Sequence, residues 1–191
     1  MIDSRVIPVL TATSADEAER TCRALLAGGL TTVEITFRTD AAAAAIRRAS
    51  AIDGLTVGAG TVLSVGQLHA AIEAGATFAF APSTNEDVIE AAGEAGVTFI
   101  PGAATPTEID RARSLGCSIV KIFPASVLGG PAFLRSVSPV FPDVQFIPTG
   151  GVTAENLTDY LAVPSVLACG GTWICAEPDL IEERAREAAN A

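Results

Sequence analysis

The stretch Cys117-Ser118-Ile119-Val120-Lys121-Ile122-Phe123-Pro124 has the composition of a buried β-strand. Its apolar residues follow one another without polar alternation, which is typical of strands covered on both faces in a parallel sheet. Similar runs recur at intervals of 20 to 26 residues, centred on Val9, Val33, Val57, Phe78, Phe99, Val120, Phe146 and Val166. Because a helix signal follows each run, the pattern predicts eight strand–helix units.

The segments between these runs carry helix boundaries. Ser14 and Ser64 are predicted N-caps, because Glu17 and Gln67 stand three residues after them. The segment Thr105-Pro106-Thr107-Glu108 adds a proline at the first helical position. Glycines mark the predicted helix ends at Gly28-Gly29, Gly75, Gly96 and Gly116. A last helix is predicted from Pro178 to Ala189.

This organisation predicts an α/β fold, a compact single-domain (β/α)8 TIM barrel over residues 1–191. Barrels of this kind typically have about 250 residues, so this one would be small. The alternative is an open doubly wound sheet, which would carry a dinucleotide-binding glycine pattern after its first strand. The segment Pro8-Val9-Leu10-Thr11-Ala12-Thr13 contains no glycine, which favours the barrel.

Charge and cysteine content exclude several classes of protein. The net charge is −10 and no basic stripe is present, so we expect neither a nucleic-acid partner nor binding to an anionic membrane. No apolar run approaches the length of a membrane helix, and residues 1–5 lack a signal-peptide core. The 4 cysteines show no CxxC spacing, which predicts reduced thiols and a cytoplasmic protein. With 1 histidine, no metal site is expected.

Lys121 is the only lysine of the chain, and it lies within the opening apolar run. Burial disfavours the charged ammonium and makes the neutral amine more accessible. A neutral, buried lysine amine is a nucleophile toward carbonyl groups and commonly forms Schiff bases. We therefore predict that Lys121 is a catalytic nucleophile.

Glu34 is a carboxylate in the middle of the second strand-like run, Thr32-Val33-Glu34-Ile35-Thr36. With a strand period of two, Glu34, Thr36 and Arg38 share one face. If that face points into the barrel, Glu34 approaches Lys121 and the two form a proton-transfer pair. The alternative is an internal salt bridge without a catalytic role, although an isolated buried pair contributes little to stability.

Two glycine pairs stand at the ends of the last two predicted strands, in Thr149-Gly150-Gly151 and Gly170-Gly171-Thr172. The loops after these strands often form a phosphate site in (β/α)8 barrels. Glycine lets backbone N–H groups approach phosphate oxygens, and threonine hydroxyls add hydrogen-bond donors. These residues therefore predict a phosphate-binding site, the alternative being two ordinary tight turns.

Three further residues are predicted at the same end of the barrel. Arg38 would anchor a carboxylate or phosphate through its planar guanidinium, unless it is a solvated surface arginine. Thr61 would hydrogen-bond a substrate carboxylate, or else cap the following helix. Phe123 would contact the apolar part of a bound ketoacid or shield Lys121 from water, although plain core packing is equally compatible with the sequence.

Four segments resemble the bacterial 2-keto-3-deoxy-6-phosphogluconate (KDPG) and 4-hydroxy-2-oxoglutarate aldolase family. They are Glu34-Ile35-Thr36-Phe37-Arg38-Thr39, Gly58-Ala59-Gly60-Thr61-Val62-Leu63, Lys121-Ile122-Phe123-Pro124-Ala125 and Pro148-Thr149-Gly150-Gly151-Val152. The similarity in order and spacing runs from about Val6 to Glu187. The family consists of class I aldolases on the (β/α)8 fold, which need no cofactor and are usually homotrimers.

The resemblance implies a Schiff base on Lys121, proton transfer by Glu34, and contacts of Arg38 and Thr61 with the ketoacid end. It also implies that Thr149-Gly150-Gly151 and Gly170-Gly171-Thr172 enclose the substrate and its distal phosphate. Thr172 stands where many relatives have serine, but the hydroxyl is retained. The short N-terminus suggests that the helix closing the barrel bottom in relatives is missing, which would affect trimer packing more than catalysis.

The predicted reaction is aldol cleavage of 2-keto-3-deoxy-6-phosphogluconate to pyruvate and glyceraldehyde 3-phosphate. The alternatives are an aldolase for the galactonate epimer or for 4-hydroxy-2-oxoglutarate, and a phosphate-binding barrel enzyme without Schiff-base chemistry. The segment Phe37-Arg38-Thr39 favours the gluconate branch. A non-catalytic barrel that senses a phosphorylated metabolite is disfavoured by the presence of both Glu34 and Lys121.

Overall fold

The computed structural model describes residues 4–191 as a ring of parallel strands surrounded by helices. Residues 1–3, which belong to the predicted leaderless N-terminus, lie outside the described residues. The strands are β1 (Val6–Leu10), β2 (Thr32–Thr36), β3 (Thr56–Gly60), β4 (Phe78–Phe80), β5 (Thr98–Ile100), β6 (Gly102–Ala103), β7 (Ile119–Ile122), β8 (Gln145–Pro148) and β9 (Cys169–Gly171).

The helices follow the strands in the predicted alternation. They are α1 (Ala15–Ala27), α2 (Ala42–Ser50), α3 (Val65–Glu73), α4 (Glu86–Glu94), α5 (Pro106–Ser114), α6 (Pro131–Val137), α7 (Leu157–Leu161) and α8 (Ile181–Ala189), with 3-10 turns at Trp173–Cys175 and Pro178–Leu180. Within residues 4–191, none of these helices has the length and apolar character to cross a membrane.

Hydrogen bonding closes the strands into the predicted barrel. One sheet has the order β5-β4-β3-β2-β1-β9 and the other the order β6-β7-β8, and every pair is parallel. β5 and β6 are two parts of one barrel strand, interrupted at Pro101, whose nitrogen has no hydrogen to donate. Single bridges Phe146–Val166 and Thr149–Gly170 join β8 to β9 and complete the ring.

Two predicted element positions are wrong. The eighth strand was expected around Val166, but the regular strand begins at Cys169, and Val166 forms only an isolated bridge. The final α-helix was expected to begin at Pro178, whereas Pro178–Leu180 forms a 3-10 turn and α8 begins at Ile181. The apolar signal at Val166 and the helix-start signal at Pro178 each come three residues before the regular element begins.

The predicted helix caps are confirmed. The Ser14 hydroxyl accepts a hydrogen bond from the Glu17 N–H, and the Ser64 hydroxyl accepts one from the Gln67 N–H. Thr105 and Glu108 form a complete capping box. These caps satisfy N–H groups that have no partner inside their helices, so each helix begins at a defined residue after its strand.

The four cysteines are not bonded to one another. Cys22 and Cys169 are buried, whereas Cys117 and Cys175 are half-buried. Burial raises the pKa of the Cys22 and Cys169 thiols to about 12, so both remain protonated at neutral pH. Protonated thiols are poor nucleophiles and poor metal ligands, which makes these two cysteines packing residues.

The barrel interior is filled by a small apolar cluster that is separate from the main core between strands and helices. Its members lie on strands or directly beside one, and they are Ile7, Phe78, Phe80, Ile100, Ile147 and Ala168. Along each strand, every second side chain faces the barrel interior. The cluster therefore forms an apolar floor below the polar residues at the C-terminal ends of the strands.

Glycines allow this narrow barrel to close around its contents. A Cβ on Gly102, in β6, would lie 2.2 Å from the carbonyl carbon of Pro82. A Cβ on Gly60, in β3, would lie 2.1 Å from Oε1 of Glu34. Neither neighbour has room to move without displacing a strand end or a buried carboxylate, so both positions require the absence of a side chain.

We expect Gly102→Ala to lower the free energy of unfolding by about 1–3 kcal/mol, because the new methyl group overlaps backbone atoms of Pro82. Gly93→Ala is the matched control, since a Cβ on Gly93 in α4 meets nothing within 4 Å. There, alanine should raise the free energy of unfolding by about 0.5–1 kcal/mol. Urea denaturation of both variants measures this, and equal effects would contradict the packing argument.

Candidate active site

Lys121 and Glu34 meet inside the barrel. Lys121 lies on β7 and Glu34 on β2, and both point inward. The Lys121 Nζ donates to Glu34 Oε1 at 3.0 Å and to Oε2 at 3.2 Å. Their side chains are 5% and 1% exposed, respectively, and every other ion pair among residues 4–191 has at least one exposed partner. The predicted proximity of these two residues is confirmed.

Burial and hydrogen bonding act in opposite directions on the charges of this pair. Burial disfavours both charges, whereas the short hydrogen bonds favour both. Moving one proton from the ammonium to the carboxylate removes both charges together. The exchanged form has a neutral, nucleophilic amine beside the acid that holds its proton.

A cavity of about 470 Å³ opens above the pair at the C-terminal ends of the strands. Its walls are formed by Val9, Arg38, Thr61, Pro82, Lys121, Phe123, Thr149, Gly150, Gly151, Val152, Gly171 and Thr172. Two predicted site residues are missing from these walls. Glu34 lies on the inner side of Lys121. Gly170 lies behind Thr149, because a Cβ added to Gly170 would be 2.4 Å from the Thr149 Oγ1.

Thr61 lines the cavity in a strained backbone conformation. Its φ angle is +57°, in the left-handed region that a β-branched residue rarely adopts. Such strain costs about 1–3 kcal/mol and persists mainly where the surrounding structure fixes it, often at functional sites. The alternative that Thr61 caps the following helix is wrong, because Ser64 is the N-cap of α3.

Arg38 and Phe123 stand at the mouth of the cavity. Arg38 is exposed and forms no ion pair with any residue from 4 to 191, so its guanidinium is available to an anion. Phe123 is half-buried, and its ring edge lies 3.2 Å from the Cβ position of Gly150. The ring therefore packs on the glycine loop and forms one apolar wall.

The loop after β8 presents unbonded hydrogen-bonding groups to the cavity. Gly150 and Gly151 have φ angles of +92° and +79°, which explains the choice of glycine. Among residues 4–191, no acceptor is bonded to the N–H groups of Gly151 or Thr172. The buried Thr149 Oγ1 also has no partner. Unpaired groups of this kind around a cavity suit an oxygen-rich anionic ligand.

Sequence reasoning missed several residues of the site. Val9, Pro82 and Val152 line the cavity, and the Phe80 ring centroid lies 5.1 Å from the Lys121 Nζ. Apolar residues at strand ends carry no signal that separates a cavity wall from ordinary core. Among residues 4–191, no three histidine, cysteine, aspartate or glutamate side chains are grouped as potential metal ligands.

Comparisons with known proteins identify the family of this chain. The family model described as "KDPG and KHG aldolase" matches residues 1–189. The chain is 46% identical over 173 residues to a 2-dehydro-3-deoxy-phosphogluconate aldolase of Treponema pallidum, covering 89% of this chain and 81% of the relative. It is 36% identical to the crystal structure of the 2-keto-3-deoxy-6-phosphogluconate aldolase of Zymomonas mobilis, with a TM-score of 0.94 and coverage of 97% and 92%.

A further similar structure is the KDPG aldolase of Legionella pneumophila, with pyruvate captured as a covalent carbinolamine intermediate. Its sequence is 34% identical to this chain, and the TM-score of the two structures is 0.89. The match covers 99% of this chain and 92% of the Legionella chain. These matches extend over nearly the whole barrel, including the strands that carry the buried pair and the loops that line the cavity. This chain therefore belongs to the KDPG and KHG aldolase family.

Proposed function

We propose that this protein is a class I aldolase, a lyase that cleaves 2-keto-3-deoxy-6-phosphogluconate to pyruvate and glyceraldehyde 3-phosphate. The observation that carries the proposal is the buried Lys121–Glu34 pair beneath a cavity lined by unpaired anion-binding groups. Membership in a family of KDPG and KHG aldolases supports it. The buried amine supplies the nucleophile, and the cavity accommodates a substrate that is negative at both ends.

The reaction begins when the neutral Lys121 amine attacks the C2 carbonyl carbon and forms a carbinolamine. Loss of water gives a protonated imine, which draws electrons from the adjacent bonds. The electron pair of the C3–C4 bond then moves into the imine and forms an enamine, while the C4 hydroxyl proton passes to Glu34. C4 leaves as the aldehyde carbon, and Glu34 returns this proton to C3 of the enamine. Water then hydrolyses the imine, which releases pyruvate and the free Lys121 amine.

The cavity walls distinguish the two ends of the substrate. We assign the ketoacid carboxylate to Arg38 and Thr61, with Phe123 against the apolar part of the molecule. We assign the distal phosphate to the loops that carry Gly150, Gly151, Gly170, Gly171 and Thr172, with Thr149 between the two ends. The unbonded N–H groups support this assignment, because an acidic protein must bind an anion through local donors.

Borohydride reduction in the presence of pyruvate tests the Schiff base. We expect one reduced pyruvyl adduct, placed on Lys121 by peptide mapping, because the N-terminal amine is the only other amine of the chain. Lys121→Arg should form no adduct and lose essentially all turnover. Arginine keeps the positive charge beside Glu34, so this variant also tests whether the pair is merely a salt bridge.

A folded wild-type protein that forms no adduct with excess pyruvate would contradict class I chemistry. It would favour the alternative of a phosphate-binding barrel enzyme that uses Lys121 only as a charge. Loss of turnover on EDTA treatment, with recovery on adding zinc, would likewise contradict the proposed mechanism. Residual turnover in Lys121→Arg would have the same meaning, because guanidinium does not form a Schiff base.

Thr172→Val tests the phosphate site. The change keeps the shape of the side chain and removes its hydroxyl, so KM for the phosphorylated substrate should rise about tenfold or more. KM for 4-hydroxy-2-oxoglutarate, which has no phosphate, should stay within about twofold. Thr172→Ser is the control, because it retains the hydroxyl. Equal effects of Thr172→Val on both substrates would place the phosphate elsewhere.

We also propose a homotrimer in the cytoplasm. Leu63, Val127 and Val140 are large apolar residues that are exposed on the single chain, which supports their burial between subunits. Light scattering should give about three times the 19.4 kDa chain mass. A mass of 19.4 kDa at micromolar concentration would contradict the trimer.

Four unpaired thiols suit a reducing compartment, which cell fractionation tests.

A further inference from the structure

Phe80 is a buried aromatic residue at the end of β4, and it lies next to the reacting nitrogen. Its side chain is 0% exposed, and its ring centroid is 5.1 Å from the Lys121 Nζ. A cation within about 6 Å of an aromatic centroid is attracted by the negative face of the ring. This attraction is strongest where water is excluded, which is the case for a lysine side chain that is 5% exposed.

Packing fixes the position of this ring. Phe78 contacts Phe80 in a T-shaped arrangement, with ring centroids 5.4 Å apart and an interplanar angle of 85°. Gly58 in turn leaves room for Phe78, because a Cβ at that position would lie 1.9 Å from the Phe78 ring. Packing within β3 and β4 therefore holds the ring beside the Lys121 nitrogen.

Glu34 and Phe80 respond differently when the nitrogen reacts. The ammonium form of Lys121 donates to both oxygens of Glu34. A protonated imine has a single N–H, so at least one of these two hydrogen bonds is lost when it forms. The attraction to the Phe80 ring needs no N–H group and is kept. Besides Lys121, the charged residue that lines the cavity is Arg38.

We propose that Phe80 is a positioning residue that stabilises positive charge on the Lys121 nitrogen in the protonated imine. The proposal rests on the proposed class I function. In the step concerned, the hydroxyl group of the carbinolamine takes up a proton and leaves as water, while the nitrogen lone pair forms the C=N bond. The positive charge that appears on the nitrogen then faces the ring, which offsets the hydrogen bond lost to Glu34.

Site-specific replacement of Phe80 by mono-, di- and trifluorophenylalanine separates charge stabilisation from packing. Fluorine weakens the negative face of the ring and changes its shape little. The apparent dissociation constant of pyruvate, obtained from borohydride trapping in alkaline buffer, should rise with each fluorine and reach about tenfold for the trifluoro ring. The comparison is with the neutral amine, which carries no charge for the ring to stabilise.

The same replacements at Phe78 are the matched control. Phe78 is also a buried aromatic residue of β4, but its ring packs against Phe80, whereas the Lys121 ammonium lies over the Phe80 ring. Its fluorinated forms should keep the dissociation constant within about twofold. A constant that does not change with fluorination at Phe80, while the wild type forms its adduct, would overturn this inference alone. Absence of an adduct in the wild type as well would overturn the proposed function and the inference with it.

Discussion

The hydrogen-bonded pair of Lys121 and Glu34 is the interaction on which the rest of the structure depends. Two opposite charges in a barrel interior lose most of their hydration, and even a well-formed pair recovers this loss only in part. The protein keeps the pair together by fixing both partners on central parts of parallel strands. Gly60 leaves the space that the Glu34 carboxylate occupies. Burying this pair therefore costs folding free energy, and the surrounding strands hold it in place.

The rim of the cavity meets a different constraint. A protein of net charge −10 repels anions at long range, so an anionic ligand must be held by close contacts. Thr61, with its strained backbone, and the left-handed glycines after β8 line the cavity. Arg38 adds a positive charge that no described residue neutralises. The proposed anion site therefore needs no basic surface.

Much of this arrangement could be predicted from sequence because it follows from periodicity. Spacing of apolar runs identified the barrel, and strand alternation placed Glu34 and Lys121 on facing surfaces. The interruption at Pro101 and the late start of β9 were not predicted, because both depend on hydrogen bonds between strands. The contact of Phe80 with Lys121 was also missed, since an aromatic residue at a strand end has the same local pattern whether it packs against leucine or an ammonium.

The apolar floor of the barrel and the rim of the cavity differ in how readily their residues can be exchanged. The floor consists of inward-facing side chains from several strands, so a substitution there alters packing and chemistry together. The rim consists of loop residues and strand ends, where a hydroxyl or a cation can be exchanged without moving the buried pair. In the proposed function, residues such as Arg38 and Thr172 set substrate length and charge, while the proposed nucleophile and its proton partner stay fixed. In the proposed mechanism the Lys121 amine acts only on the carbonyl carbon that all ketoacids share, so a small barrel of this kind can accept new ketoacids through changes at its rim.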